Sequence, residues 1–260
     1  MKKIAFVNQK GGVGKSTSVV NVAACLAEKG KKVLIIDADP QGNATSGVGV
    51  DKRSVKYTTY EFILDDSVKP NDCIIQTNFE KLFVIPSNIE LAGAEVELVS
   101  ALSREKLLKS KLEQIKGFDY ILIDCQPSLG LITINALTAV DSIIVPVQCE
   151  YYALEGLGQL MQTISRIKKG LNPELQLDGI LVTMYDSRVN LSNQVVSELR
   201  SYFEDKVFRS IIPRNIRVSE APSHGKPVIH YESNCSGSIA YRGFVEEYLG
   251  EEEKEQIESA

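Results

Sequence analysis

Short apolar runs recur along the chain, and between them lie longer stretches in which apolar residues return every three or four positions. The runs at 4–7, 32–37, 82–86, 120–124, 142–147, 179–184 and 209–212 are rich in Ile, Val and Leu without polar alternation. That pattern predicts strands covered on both faces, as in a parallel sheet. Residues 15–29 carry Val19, Val22, Ala23, Leu26 and Ala27 on one side and stop at Gly30, a good residue just past a helix end. Residues 152–169 put Leu154, Leu157, Leu160, Met161, Ile164 and Ile167 on one stripe and close on Lys168 and Lys169, which suit a helix C-terminus. Segments 89–102, 104–116, 189–204 and 237–249 also read as helices. The alternation predicts an α/β fold, a doubly wound, mostly parallel sheet with helices on both faces. Nothing resembling a linker or repeat breaks it, so 1–250 is expected to be a single domain. Residues 251–260 are expected to be a disordered acidic tail.

Composition is that of an ordinary globular protein, and no apolar run approaches the roughly 20 residues of a membrane span. The first apolar run is too short for a signal-peptide core and reads as a strand. Five scattered cysteines, none in a CxxC pair, indicate neither a disulfide framework nor a zinc site, and a reducing cytoplasm fits. An iron–sulfur cluster shared between subunits is disfavoured only weakly. The net charge of −5 at first argues against nucleic acid. However, residues 251–260 alone carry −4, and residues 188–226 hold seven Lys or Arg against four Asp or Glu. A basic face can therefore sit within an acidic total.

The candidate chemistry starts at NQKGGVGKST, residues 8–17, between a strand and a helix. Gly11, Gly12 and Gly14 let the backbone turn its N–H groups inward, and the helix start adds its own, forming a nest for a polyphosphate. Lys15 is placed to reach the β- and γ-phosphates, Ser16 to put its hydroxyl on Mg²⁺, and Thr17 to face phosphate from the same turn. Gln9 stands where the strict GxxxxGK[ST] pattern has glycine, so the loop is the deviant form KGGxGK[ST]. Asp37 and Asp39 end one strand run and Asp124 ends another, at the edge where ligands bind in open α/β sheets. Mg²⁺ usually keeps several waters, so a rim carboxylate there can act on it through water.

KGGVGKS, DADPQGNAT, DCQPSLGLITINAL, PVQCEYYALEGL and IPRNIRVSEAPSHGKP together resemble the ParA/Soj chromosome- and plasmid-partitioning ATPases, the P-loop NTPases with deviant Walker A loops. The resemblance implies ATP and Mg²⁺ as ligands, contacted by Lys10, Gly11, Gly12, Val13, Gly14, Lys15, Ser16 and Thr17, with Ser16 and Asp124 on the metal. It implies a homodimer that sandwiches two ATPs, in which Lys10 reaches the partner's phosphates and Asp39 orients the attacking water. Lys10, Lys15 and Asp39 are the expected catalytic set. Pro213 and Asn215 are expected at the adenine, and Arg188 and Arg217 on a surface that binds DNA without sequence preference. A ParB/Spo0J-type centromere-binding protein would stimulate hydrolysis, and a cytoplasmic, nucleoid-associated location follows. Gln126 stands where the family usually has proline, which implies a looser turn after Asp124. Two other readings use the same loop. One is a MinD-like ATPase on a membrane surface, which the acidic C-terminal residues disfavour. The other is an iron–sulfur-carrier type ATPase, which lacks support from closely paired cysteines.

Overall fold

The apolar runs form strands because both sides of the sheet they build are covered. The structure is a computed structural model that describes residues 1–258, with side chains through Lys254. Its strands are β1 (Lys2–Phe6), β2 (Val33–Ala38), β3 (Ile75–Gln76), β4 (Leu82–Ile85), β5 (Tyr120–Cys125), β6 (Ser142–Gln148), β7 (Gln176–Tyr185) and β8 (Val207–Pro213). They lie in one sheet in the order β3-β4-β2-β5-β1-β6-β7-β8, parallel except for the antiparallel edge pair of β3 with β4. The helices are α1 (Lys15–Glu28), α2 (Asn43–Gly47), α3 (Thr59–Leu64), α4 (Leu91–Glu97), α5 (Leu107–Leu112), α6 (Leu131–Ala139), α7 (Ala153–Gly170), α8 (Asn190–Phe203), α9 (Ile216–Glu220), α10 (Val228–Tyr231) and α11 (Ser236–Glu258).

Successive residues of each strand point to opposite faces, which divides the apolar residues into two cores. Ile4, Phe6, Ile35 and Leu122 pack with α1 and with Tyr241 and Phe244 of α11. Leu34, Ile36, Ile121 and Ile123 pack against residues of α3 to α8. The expected doubly wound sheet is therefore the observed one. β1 sits between β5 and β6, and β2 lies beyond β5. The C-terminal ends of these strands crowd around the exit of β1, where the glycine-rich loop begins.

Several elements differ from the pattern reading. Residues 89–102 form the shorter α4 and a 3-10 turn at Leu98–Ser100, and residues 104–116 yield only the six-residue α5. Helix α6 has no amphipathic stripe to betray it. It is apolar nearly all round and buried along most of its length between the sheet and its neighbouring helices. Helix α3 opens with a capping box that a hydrophobic-period reading passes over. The Thr58 side chain takes the Tyr60 N–H, and Glu61 takes the Thr58 N–H at 2.7 Å. The acidic end, expected to be disordered, continues α11 as far as Glu258, and residues 259–260 lie outside the described residues. The reason lies in what it docks on. The Tyr248 hydroxyl donates to Asp178 Oδ2 at 2.5 Å, Lys2 Nζ is 3.0 Å from Glu252, and Tyr120 hydrogen-bonds Glu252. The residues just past Gly250 thus have polar partners at the N-terminal end of the sheet.

Candidate active site

The loop after β1 owes its shape to its glycines. Gly12 and Gly14 have φ of 75° and 84°, left-handed values that side chains resist. Val13 between them is buried, and its carbonyl accepts from the Thr183 hydroxyl at 2.8 Å, which ties the loop to β7. Val13 therefore anchors the loop from behind. Gly14 is the N-cap of α1 and offers no side-chain cap. The first N–H groups of α1 are left without a side-chain acceptor, and an anion is the ligand they favour.

In front of the loop opens a cleft of about 820 Å³. Gly11, Gly12, Gly14, Lys15, Ser16 and Thr17 border it on one side and Asp39, Gln126 and Pro127 on the other. Its far wall is Met184 with Ala221, Pro222, Ser223 and Lys226. Lys15 is almost fully buried, and its Nζ folds back to the Lys10 carbonyl at 3.1 Å. Burial holds this ammonium below its ordinary pKa, against the attraction of Asp124 and Asp39.

The carboxylates occupy distinct environments. Asp37 and Asp124 are register partners on β2 and β5, and both are fully buried. Asp37 is satisfied, since its Oδ2 accepts from Thr45 N–H at 2.7 Å and from the Thr45 hydroxyl at 2.6 Å. Asp124 is not, because neither of its oxygens has a well-formed hydrogen bond, although the Ser16 hydroxyl lies near enough to act on it. Burial, then the charge of Asp37, push the Asp124 carboxyl well above the ordinary aspartate range, while Ser16 and Lys15 pull it back. A buried carboxylate so poorly satisfied is costly unless a cation completes it. Ser16 and Asp124 thus suit a hard, oxygen-seeking divalent cation such as Mg²⁺. Asp39 borders the cleft itself, and its Oδ1 takes the Gln41 N–H at 2.9 Å, leaving Oδ2 for another partner.

The comparisons with known proteins agree with this geometry. The family model described as an AAA domain matches residues 1–177. The sporulation initiation inhibitor protein Soj of Bacillus subtilis is 56% identical over 247 residues, covering 95% of this chain and 97% of its own. The chromosome partitioning protein ParA of Caulobacter vibrioides is 45% identical over 263 residues, covering 100% of this chain and 98% of its own. The chain belongs to the Soj/ParA family of chromosome-partitioning ATPases. A structure described as cobyrinic acid a,c-diamide synthase from Mycobacterium smegmatis, with bound ADP and magnesium, superposes with a TM-score of 0.83 at 39% identity, covering 95% of this chain and 93% of that one.

Not every expected residue of this Soj/ParA chain falls in the cleft. Lys10 does not border it, and its ammonium is paired with Glu150 of the same chain. Pro213 and Asn215, expected at the adenine, are absent from the cleft walls. Asn215 is occupied elsewhere: its Oδ1 takes the Arg217 N–H at 2.8 Å and caps α9, and its amide donates to Ser236 at 2.7 Å. Met184, at the end of β7 with φ of 50°, stands in the cleft wall together with residues 221–223. Pattern reading gave no hint of that methionine, because it sits inside an apolar strand run. Arg188 and Arg217 both lie on the surface beyond β7 and β8. Arg188 is bound to Asp186 through two contacts at 2.9 and 2.7 Å, and Arg217 to Glu220 at 2.9 Å. No helix among the described residues is long and apolar enough to cross a membrane.

Proposed function

We propose that the chain is an ATP-timed switch for DNA partitioning, with Mg-ATP as its ligand. The observation that carries the reading is the pairing of an uncapped helix start and buried Lys15 with an Asp124 carboxylate that lacks a well-formed hydrogen bond and has the Ser16 hydroxyl beside it. The first two suit a polyphosphate and the third suits its cation. The relative from Mycobacterium smegmatis, crystallised with ADP and magnesium, supports the assignment.

In this reading Gly11, Gly12, Gly14, Lys15, Ser16 and Thr17 hold the phosphates, Val13 takes part through its backbone alone since its side chain is buried behind the loop, and Ser16 and Asp124 hold Mg²⁺. When bound, the cation neutralises charge on the β- and γ-oxygens. Lys15 adds a positive charge in a poorly solvated place, where it counts for more than in water. Asp39 positions a water against the γ-phosphorus. The new P–O bond forms as the bond to the ADP oxygen breaks, and the water's proton leaves towards Asp39 or solvent. Lys10 reaches the phosphates of a second copy, so the dimer requires the triphosphate. Its pairing with Glu150 is between half-exposed groups, a kind of contact worth about 0–1 kcal/mol, so a polyphosphate can displace it.

Arg188 and Arg217 serve a surface for DNA of any sequence, and a ParB/Spo0J-type protein stimulates hydrolysis and release. The protein is then cytoplasmic and nucleoid-associated. The test is retention of the protein on random-sequence DNA at fixed salt with ATP, ADP or no nucleotide. Retention with ATP alone is the expected result. Equal retention in all three, or none in any, would overturn the switch.

A further inference from the structure

Gln126 was expected to loosen the turn after Asp124, yet it is pinned. Its Nε2 donates to Glu95 Oε1 at 2.6 Å. The same carboxylate accepts from Leu131 N–H at 2.7 Å through Oε2 and from Ile132 N–H at 3.3 Å through Oε1. Glu95 thus joins α4, the exit of β5 and the first turn of α6. Helix α6 has no side-chain cap of its own, only Gly130 at the N-cap position. A Cβ on Gly130 would lie 2.3 Å from Glu95 Oε1, so the missing side chain is the room in which the carboxylate sits. Gln126 is 9% exposed, two residues past Asp124, and borders the cleft with Pro127.

Resting on the ATPase reading above, we propose that Glu95 is a positioning residue for hydrolysis, holding the 124–131 segment in register with the cleft through the Gln126 amide. Proline fixes its own φ and needs no partner. A glutamine at this position has free torsions, and the hydrogen bond to Glu95 supplies the constraint that the ring would give. Without it the segment between Asp124 and α6 gains freedom beside the phosphates, where displacements of an ångström are costly in rate. The competing account makes Glu95 only the cap of α6. The two accounts differ in what Gln126 has to do with the effect.

The experiment compares wild type, Glu95→Ala, Gln126→Pro and the double variant. Each is assayed for ATP hydrolysis across Mg-ATP concentration and for amide hydrogen exchange without nucleotide. Glu95→Ala is expected to lower kcat by about tenfold while KM for ATP stays within about twofold. In the Gln126→Pro background the same change is expected to leave kcat within about twofold. Exchange of the amides of residues 126 and 128–132 speeds up in Glu95→Ala. An unchanged kcat, or an equal fold loss in both backgrounds, would overturn the proposal, since a plain helix cap is indifferent to residue 126. If Glu95→Ala does not fold, Gln126→Met removes the amide and leaves the cap, and the same loss of kcat is expected. A wild-type rate in that variant counts against the proposal. Exchange makes no reference to turnover. Unchanged exchange defeats the clamp, whereas a wild type that cannot hydrolyse ATP defeats the ATPase reading instead.

Discussion

At the residue scale, Asp37 and Asp124 share full burial and differ in how they are satisfied. Two buried carboxylates face each other across β2 and β5, and the protein solvates only one of them, with Thr45. The other has no well-formed hydrogen bond and only the Ser16 hydroxyl near it. Such a group costs stability in the absence of its cation, on the order of 1–3 kcal/mol. Asp124→Asn removes the charge and the repulsion with Asp37 at nearly constant shape. The nucleotide-free variant is therefore expected to melt higher than wild type, by about 2–4 °C for each kcal/mol recovered. Mg-ATP is expected to raise the melting temperature of wild type through ligand linkage but not that of the variant. Differential scanning fluorimetry with and without Mg-ATP checks both. A lower melting point for the variant, or an intact Mg-ATP shift, would show that Asp124 is structural. The place of the loop and of the three aspartates at one rim of the sheet was legible in the sequence, because glycine spacing marks the turn after a strand and the acids stand where apolar strand runs end. The Glu95 contact was not, because nothing in a sequence brings residue 95 to residue 126.

At the element scale, long helices with one apolar face were readable, and the elements whose faces are not distinct were missed. Helix α6 is buried nearly all round, and β3 has only two residues, too few for any period to register. Helix α11 was half seen, since its first turns pack on α1 while the stretch from Tyr248 to Glu252 is held by polar contacts. The joint between α1 and α11 includes an ion pair in which Arg242 reaches Glu28 through contacts of 2.7 and 2.9 Å. The Arg242 guanidinium holds the Glu28 carboxyl below its ordinary pKa, with Lys29 and His230 helping and burial opposing. A depressed folded-state value stabilises the protein above the ordinary glutamate range and loses that contribution as pH falls through the folded value. Glu28→Gln is expected to destabilise by about 0.5–1 kcal/mol at pH 7, because solvent screens a pair this exposed. The gap to wild type is expected to close by about pH 3, below the ordinary glutamate value. Urea unfolding of both proteins at the two pH values measures it. A gap that persists at pH 3 would mean that the side chain contributes packing and not charge.

At the scale of the whole molecule, every candidate group sits at one rim of the sheet. The phosphate loop follows β1, Asp39 follows β2 and Asp124 lies in the last residues of β5, while Arg188 and Arg217 follow β7 and β8. A dimer closing over that rim through Lys10 would bring the two copies' arginine-bearing segments into one assembly. Lys10→Ala is expected to bind ADP as a monomer and to show no ATP-induced dimer in size-exclusion light scattering. An ATP dimer in that variant would remove Lys10 from the interface. The arginines supply the quantitative consequence. Each is tied to an acid on its own segment, Arg188 to Asp186 and Arg217 to Glu220, and both guanidinium groups are exposed. Exposed pairs of this kind are worth little, so DNA phosphate can compete for the guanidinium. Each phosphate contact contributes about 0.9 to the slope of log affinity against log salt, and a symmetric dimer doubles the count. Replacing one arginine by alanine is thus expected to flatten the slope of the ATP form by about two, uniformly across sequences. Fluorescence anisotropy on two unrelated duplexes over a salt series measures it. A loss of affinity confined to one duplex would mean base contacts, and an unchanged slope would mean that the carboxylates keep their arginines and the DNA lies elsewhere.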